Sequence, residues 1–324
     1  IDGVPIRFNA DIQQLLGPRD AGESVRVTIL RQKKELEVDV RLAADIPPFK
    51  PQVLGVLTRV DAQGVVIDHV FPESPAASAE LAKGDAILKV AETEITDSDQ
   101  LHSLVMTHAP NEPLTLKIER DGKSIEVECE LELTPAAVPA ELPSIEQIVE
   151  PADWTIEDNA LADVANPCFL LRPKQEGRNL SLLVLLARPG SDKLKKSLED
   201  WRETASENNL CVMLVASTEK NRWKPAESDV IVRMVAQAKQ ATAISDSRIA
   251  VSGYGSGADM SMMVALRNRT IFRGLVAPTA SKPSGFSLSE NDPATPVQLL
   301  LVGAKKLPVW AGVIARFGFP LVQH

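Results

Sequence analysis

Gly253-Tyr254-Gly255-Ser256-Gly257 is the stretch whose residue types and spacing come nearest to chemistry. The apolar run Ile249-Ala250-Val251 precedes it, and Met260, Met262, Met263 and Leu266 recur after it at helical spacing. A short buried strand, a tight glycine turn and a helix are therefore expected. Such a turn lifts a nucleophile above a sheet when it reads G-x-S-x-G. Here the apex is Gly255, and Ser256 stands one residue late. A serine nucleophile also needs a histidine base and an acid that orients it. Three of the four histidines, His69, His102 and His108, lie far upstream, and the fourth, His324, is the last residue.

Other chemistries find less support. The spacing of Gly253, Gly255 and Gly257 is not the dinucleotide fingerprint, and no downstream acidic residue completes one. Cys129, Cys168 and Cys211 are too few and too scattered for a disulfide framework or a zinc cluster. No carboxylate or His/Cys group has metal-ligand spacing, so neither metal nor cofactor is expected. A formal net charge of −9 argues against nucleic acid and against an anionic membrane surface. The longest apolar run, residues 180–187, is far too short to span a bilayer.

The elements that would position these residues change character along the 324 residues. From about residue 152, short apolar strands (168–171, 180–187, 210–216, 248–251, 272–276, 297–302) alternate with helices (193–208, 229–242 and the one after the glycine turn). That alternation implies a mostly parallel sheet covered on both faces. The first 134 residues read differently. Shifting the chain by 89 positions aligns Ile1 with Val90 and Arg31 with Arg120 without a gap, pairing Ile6 with Ile95 and Leu15 with Leu104. Each copy predicts a turn, a short helix (9–16, 98–107) and two alternating strands (24–31 with 36–42, 114–120 with 124–131). Asp121-Gly122 is a strong hairpin signal. Two proline-rich stretches, around 47–51 and 133–151, separate the modules.

The second copy adds a front half: Val53-Leu54-Gly55-Val56, Gly64-Val65-Val66-Ile67, Pro72-Glu73-Ser74-Pro75-Ala76-Ala77 and Lys83-Gly84-Asp85-Ala86-Ile87-Leu88. In that order and spacing these residues resemble a PDZ domain, of the kind that follows the protease domain in HtrA/DegP-type serine proteases. Two departures are Glu80, where that family has glycine, and Ala91-Glu92-Thr93, which replaces the family's Asp-Gly turn. The resemblance implies a peptide groove with a carboxylate loop at Val53, Leu54, Gly55 and Val56, lined by Leu101, Leu104 and Val105. His102 and His108 are expected to be exposed or to end the helix. Residues 1–46 then correspond to the back half of a first PDZ domain, residues 50–134 to a complete one, and 135–151 to a linker. The chain is expected to be a piece of a longer protein.

Residues 152–324 resemble an α/β-hydrolase, nearest to depolymerases and carboxylesterases. Asp246, Arg248-Ile249-Ala250-Val251-Ser252-Gly253, Gly257, Phe272-Arg273-Gly274 and Trp223 carry that likeness. The family's acid would fall at Gly303-Ala304-Lys305-Lys306, which offers lysines. Its oxyanion loop would fall at Ala187-Arg188-Pro189-Gly190, where proline has no N–H to give. The expectation is a multidomain chain: β-rich PDZ modules followed by a degenerate, doubly wound hydrolase-like domain. Its implied role is non-catalytic binding of extended peptides or unfolded protein C-termini within an HtrA-like serine endopeptidase. A periplasmic or envelope location, and homo-oligomerisation through a protease domain absent from this chain, are implied by the resemblance alone. The alternative is an active serine esterase or peptidase that uses Ser256.

Overall fold

The computed structural model describes residues 1–31, 34–44, 51–109, 112–135, 138, 149–174, 180–277, 290–292, 295–302 and 309–323. The chain divides into two compact units, Ile1–Pro48 and Phe49–His324. The first holds α1 (Asn9–Leu16) and an antiparallel hairpin of β1 (Ser24–Arg31) and β2 (Lys34–Arg41). Alternation along β1 buries Val25, yet Phe8 and Leu30 are each 72% exposed, and Leu36, Val38 and Val40 also face solvent. This unit therefore leaves much of its apolar surface wet.

The second unit begins with a β-rich module. Its elements are β3 (Gln52–Val53), β4 (Val56–Asp61), β5 (Gly64–Val70), α2 (Pro75–Ser78), β6 (Ala86–Val90), β7 (Thr93–Glu94), α3 (Ser98–Met106), β8 (Leu114–Arg120), β9 (Lys123–Cys129) and β10 (Glu132–Leu133). The main sheet runs β4-β5-β6-β8-β9 with β7 on β6, while β10 pairs with β3. The apolar faces of these strands close over Val65, Ile67, Ile87, Leu116 and Ile118. The internal repeat holds at the level of structure: α3 begins 89 positions after α1, and β9 89 positions after β2.

Asp85 is sunk in this module at 1% exposure, and Arg120 grips it through two bonds of 2.6 and 2.7 Å. The Ala82 N–H adds a third at 2.8 Å. Burial pushes the Asp85 carboxyl up, but the Arg120 and Ala82 bonds outweigh it and hold it below its ordinary value. Removing the guanidinium leaves a buried charge without compensation, so Arg120→Ala should cost about 3 kcal/mol in urea unfolding. Because the folded value is depressed, this stabilisation is complete above the ordinary value of 3.8 and is lost as pH falls through the folded one.

Both departures from the family pattern fall on left-handed backbone. Glu80 has φ +56° and Ala91 φ +47°. Glycine adopts that conformation without strain, whereas a side chain costs about 1–2 kcal/mol. Glu80→Gly should therefore raise stability by about 0.5–1 kcal/mol once the added freedom of the unfolded chain is subtracted. A higher thermal midpoint is the readout.

The rest of the unit contains β11 (Trp154–Asp158), β12 (Cys168–Pro173), β13 (Leu180–Leu186), α4 (Leu194–Glu199), α5 (Arg202–Glu207), β14 (Leu210–Val215), α6 (Glu227–Ala241), β15 (Ile244–Gly253), α7 (Ser256–Arg267), β16 (Gly274–Ala277), β17 (Gln298–Leu301), α8 (Val309–Arg316) and β18 (Leu321–Gln323). They form one eight-stranded sheet in the order β11-β12-β14-β13-β15-β16-β17-β18. The first two pairings are antiparallel and the other five parallel. Fully apolar strands such as β14 belong to a sheet buried on both faces. All three cysteines are buried, and burial raises the Cys168 and Cys211 thiols to about 12, which leaves them unreactive.

Several sequence expectations need correction. The single helix expected over 193–208 is two helices, broken at Asp200 and Trp201. Trp201 starts the second one, and its carbonyl accepts the Ala205 N–H at 2.7 Å. The sequence pattern predicts neither β11 nor α8: one follows a proline stretch, and the other is a helix of only eight residues. His102 is not an exposed helix residue. It is partly buried, lining with Met106, Arg248 and Arg273 a cavity between α3 and the sheet. Asp99 on the same helix accepts the Ser245 hydroxyl at 2.8 Å. His324, 303–306 and most of the second proline stretch lie outside the described residues. Among the described residues, no helix is long and apolar enough to cross a membrane.

Candidate functional site

The first candidate lies in the β-rich module. β4 is the end strand of its sheet: β5 occupies one edge, and no described strand occupies the other. An unpaired strand edge is a template for an added strand. α3 flanks that edge, and Thr58 on β4 donates its hydroxyl to Ser98 Oγ at 2.9 Å, tying strand to helix. Val53, Leu54, Gly55 and Val56 carry the chain from β3 into β4 at the head of this groove.

The loop is held by its carbonyls. Leu54 O accepts from Ala76 N at 2.9 Å, and Gly55 O accepts from Phe71 N at 2.9 Å and from the Ser74 hydroxyl at 3.3 Å. The N–H groups of Leu54 and Gly55 meet no acceptor among the described residues. Two adjacent free donors beside an open strand edge suit a carboxylate. Gly55 is obligatory here. Its φ is +81°, and a Cβ would lie 2.2 Å from the Ser74 Cβ. Ser74 in turn caps α2 by accepting the Ala77 N–H at 3.2 Å.

The helix residues expected to line the groove separate by burial. Leu101 and Val105 are 3% and 4% exposed and belong to the module core. Leu104 and Val56 are only partly buried and stay at its margin. Gln52, missed in the sequence because it sits in a two-residue strand, anchors β3 to the helix end by donating to His108 O at 2.8 Å.

The glycine turn is the second candidate. Gly255 has φ +58° and ψ −129° and caps α7. Non-glycine residues avoid this backbone region at a cost of about 1–3 kcal/mol. Strand and helix cross so closely that a Cβ on Gly253 would lie 2.3 Å from the Gly257 carbonyl. A strained strand-to-helix turn is thus present, with no side chain at its apex. Ser256 is the first residue of α7. The described histidines, His69, His102 and His108, all belong to the β-rich module, and among the described residues no acidic or His/Cys group could hold a metal.

One carboxylate stands out in the α/β region, and no sequence motif marked it. Glu227, 5% exposed, accepts from Thr218 N (2.9 Å), Lys224 N (2.6 Å), Asn166 Nδ2 (2.7 Å) and the Ser217 hydroxyl (3.0 Å). Burial raises its carboxyl, but these donors outweigh that and hold it below the ordinary range. Its role is structural, since it ties down the loop that carries Trp223. The Trp223 indole donates to Ala187 O at 3.1 Å and so fixes the start of the Ala187–Gly190 loop.

Comparison with known proteins bears on the first candidate. Residues 52–131 match the PDZ domain family, so the chain carries a PDZ domain there. The serine protease Do-like HtrA of Lactococcus lactis is 44% identical over 61 residues, covering 19% of this chain and 15% of that protein. The periplasmic pH-dependent serine endoprotease DegQ of Escherichia coli is 28% identical over 137 residues, 39% of this chain and 30% of that one. The chain thus spans less than a third of either relative. Among solved structures, the HtrA3 PDZ domain bound to a phage-derived ligand is 24% identical, with a TM-score of 0.24, covering 26% of this chain and 86% of that one.

Proposed function

We propose that this chain is a non-catalytic, substrate-binding part of an HtrA-like serine endopeptidase. Its PDZ groove takes an extended peptide as an added strand on β4, with the free C-terminal carboxylate on the Leu54 and Gly55 N–H groups. The observation that carries this reading is the pair of donors without a described acceptor, next to the open edge of β4. Main-chain bonding supplies affinity in such a mode, and side-chain pockets supply selectivity. Val56 and Leu104 are the groove side chains; Leu101 and Val105 support them from the core. The partners are unfolded or newly exposed protein C-termini, and the compartment is the periplasm or envelope, as the name of the E. coli relative suggests.

The flanking regions fit this role. Residues 1–46 are read as the back half of another PDZ module, which the 89-residue repeat and the exposed apolar face of its hairpin support. Residues 152–324 are read as a doubly wound, hydrolase-like domain that has lost its nucleophile. Its support is the strand order, with a reversal at β13, and the strained turn at Gly255.

Titration of one peptide with a free and with an amidated C-terminus tests the groove. The amide should bind at least tenfold more weakly, and equal binding would remove the carboxylate reading. A serine-directed fluorophosphonate should leave the chain unlabelled. Labelling that disappears in Ser256→Ala would instead establish the esterase alternative.

A further inference from the structure

The strand order reverses at β13: the chain leaves it for β14 on one side and then returns to β15 on the other. In open parallel sheets the crevice at the carboxyl ends of such strands is where ligands bind. Here that crevice is a cavity of about 400 Å³. Leu185, Leu194, Leu198, Trp201 and Leu214 give it an apolar lining. Ser191, Ser197 and Tyr254 add polar groups, and Arg188 is the one charged residue in the lining.

Arg188 is placed for recognition. Its Nε lies 3.9 Å from where a Cβ on Gly255 would be, so the guanidinium sits beside the bare apex of the turn. Among the described residues its side chain has no hydrogen bond and no salt bridge; only its backbone carbonyl is engaged, by the Ser191 hydroxyl at 2.7 Å and the Ser191 N–H at 3.1 Å. An unpaired guanidinium above an apolar cavity without a counter-charge selects an anion, and its planar fork matches a carboxylate. The leucines and Trp201 select an apolar body.

We propose that this cavity binds an aliphatic monocarboxylate, its head on Arg188 and its chain among Leu185, Leu194, Leu198 and Trp201. The site lies apart from the peptide groove and needs no covalent step: the apex that would carry a nucleophile is glycine, which leaves its space to the ligand and to Arg188. Trp223 and Glu227 act on it as positioning residues, through the Ala187 carbonyl.

Calorimetric titration of the full chain with sodium decanoate, and with decanol as the neutral analogue, tests this. Decanoate should bind at a single site, and decanol at least tenfold more weakly. Arg188→Gln, at an exposed position that leaves the fold intact, should weaken decanoate at least tenfold, and Arg188→Lys should recover part of that loss. Ser197→Trp, which fills the mouth from an exposed helix position, should abolish binding. Absence of decanoate binding, equal affinity for decanol, or indifference to both Arg188→Gln and Ser197→Trp would overturn the proposal. Peptide titration of the same samples reads the groove separately, so failure at one site is distinguishable from failure at the other.

Discussion

Gly55→Ala is expected to abolish binding of peptides with a free carboxylate and to destabilise the PDZ domain by about 2–5 kcal/mol. Two effects add. The backbone at φ +81° is strained for any side chain, and the new methyl would lie 2.2 Å from the Ser74 Cβ. The loop can yield only by moving Ser74, and with it the cap of α2 and the bond from the Ser74 hydroxyl to Gly55 O. Ser74→Gly removes the clashing side chain at a cost of only a few tenths of a kcal/mol, because glycine is tolerated at an N-cap. In a double-mutant cycle, Ser74→Gly should therefore recover the steric part of the Gly55→Ala loss and leave the conformational part. Chemical unfolding reads the stability and peptide titration the binding. Additivity of the two substitutions would show that the contact does not matter.

Glu227→Gln should be the most damaging conservative change in the α/β region, at about 2–4 kcal/mol. Every group that faces the carboxylate is a donor: Thr218 N, Lys224 N, Asn166 Nδ2 and the Ser217 and Thr218 hydroxyls. An amide presents its own N–H₂ to one set of them, and at 5% exposure no water replaces the lost acceptor. Glu227→Gln should lower the urea midpoint and also weaken decanoate, because the loop carrying Trp223 fixes Ala187 beside Arg188. The peptide groove should be unaffected. Since burial raises the carboxyl while stronger bonding depresses it, the contribution of Glu227 is present above its ordinary value of 4.5 and fades as pH falls through the lower, folded one.

The Gly55 loop and the glycine turn were legible in the sequence to different depths. Gly55 stood out because glycine at a set place in a motif implies a close backbone approach, and Gly255 because it stands where the turn motif has serine; both have positive φ. Their neighbours were not legible in the same way. Leu101, Leu104 and Val105 have the same chemistry and share one short helix, so periodicity marks all three as apolar. Only burial separates two core residues from one at the margin. His102 read as an exposed helix residue because its own segment is polar. The surface that covers it, around Arg248 on β15 and Arg273 just before β16, lies well over a hundred positions away in the chain.

What the sequence determined by itself is local or periodic. It includes the order of modules, the 89-residue repeat, the change from alternating strands to βα units, and the absence of a side chain at the apex of the glycine turn. Each is a property of neighbouring residues, or of a shift along the chain, and needs no knowledge of what packs where. The tertiary structure decided what depends on distant partners. Asn166 reaches Glu227 across 61 positions, and Arg120 reaches Asp85 across 35. Arg188 became a candidate ligand group only when folding set it beside Gly255, in a cavity whose described lining holds no acid. Burial and charge pairing belong to the space around a residue, and folding brings residues into that space irrespective of their separation along the chain.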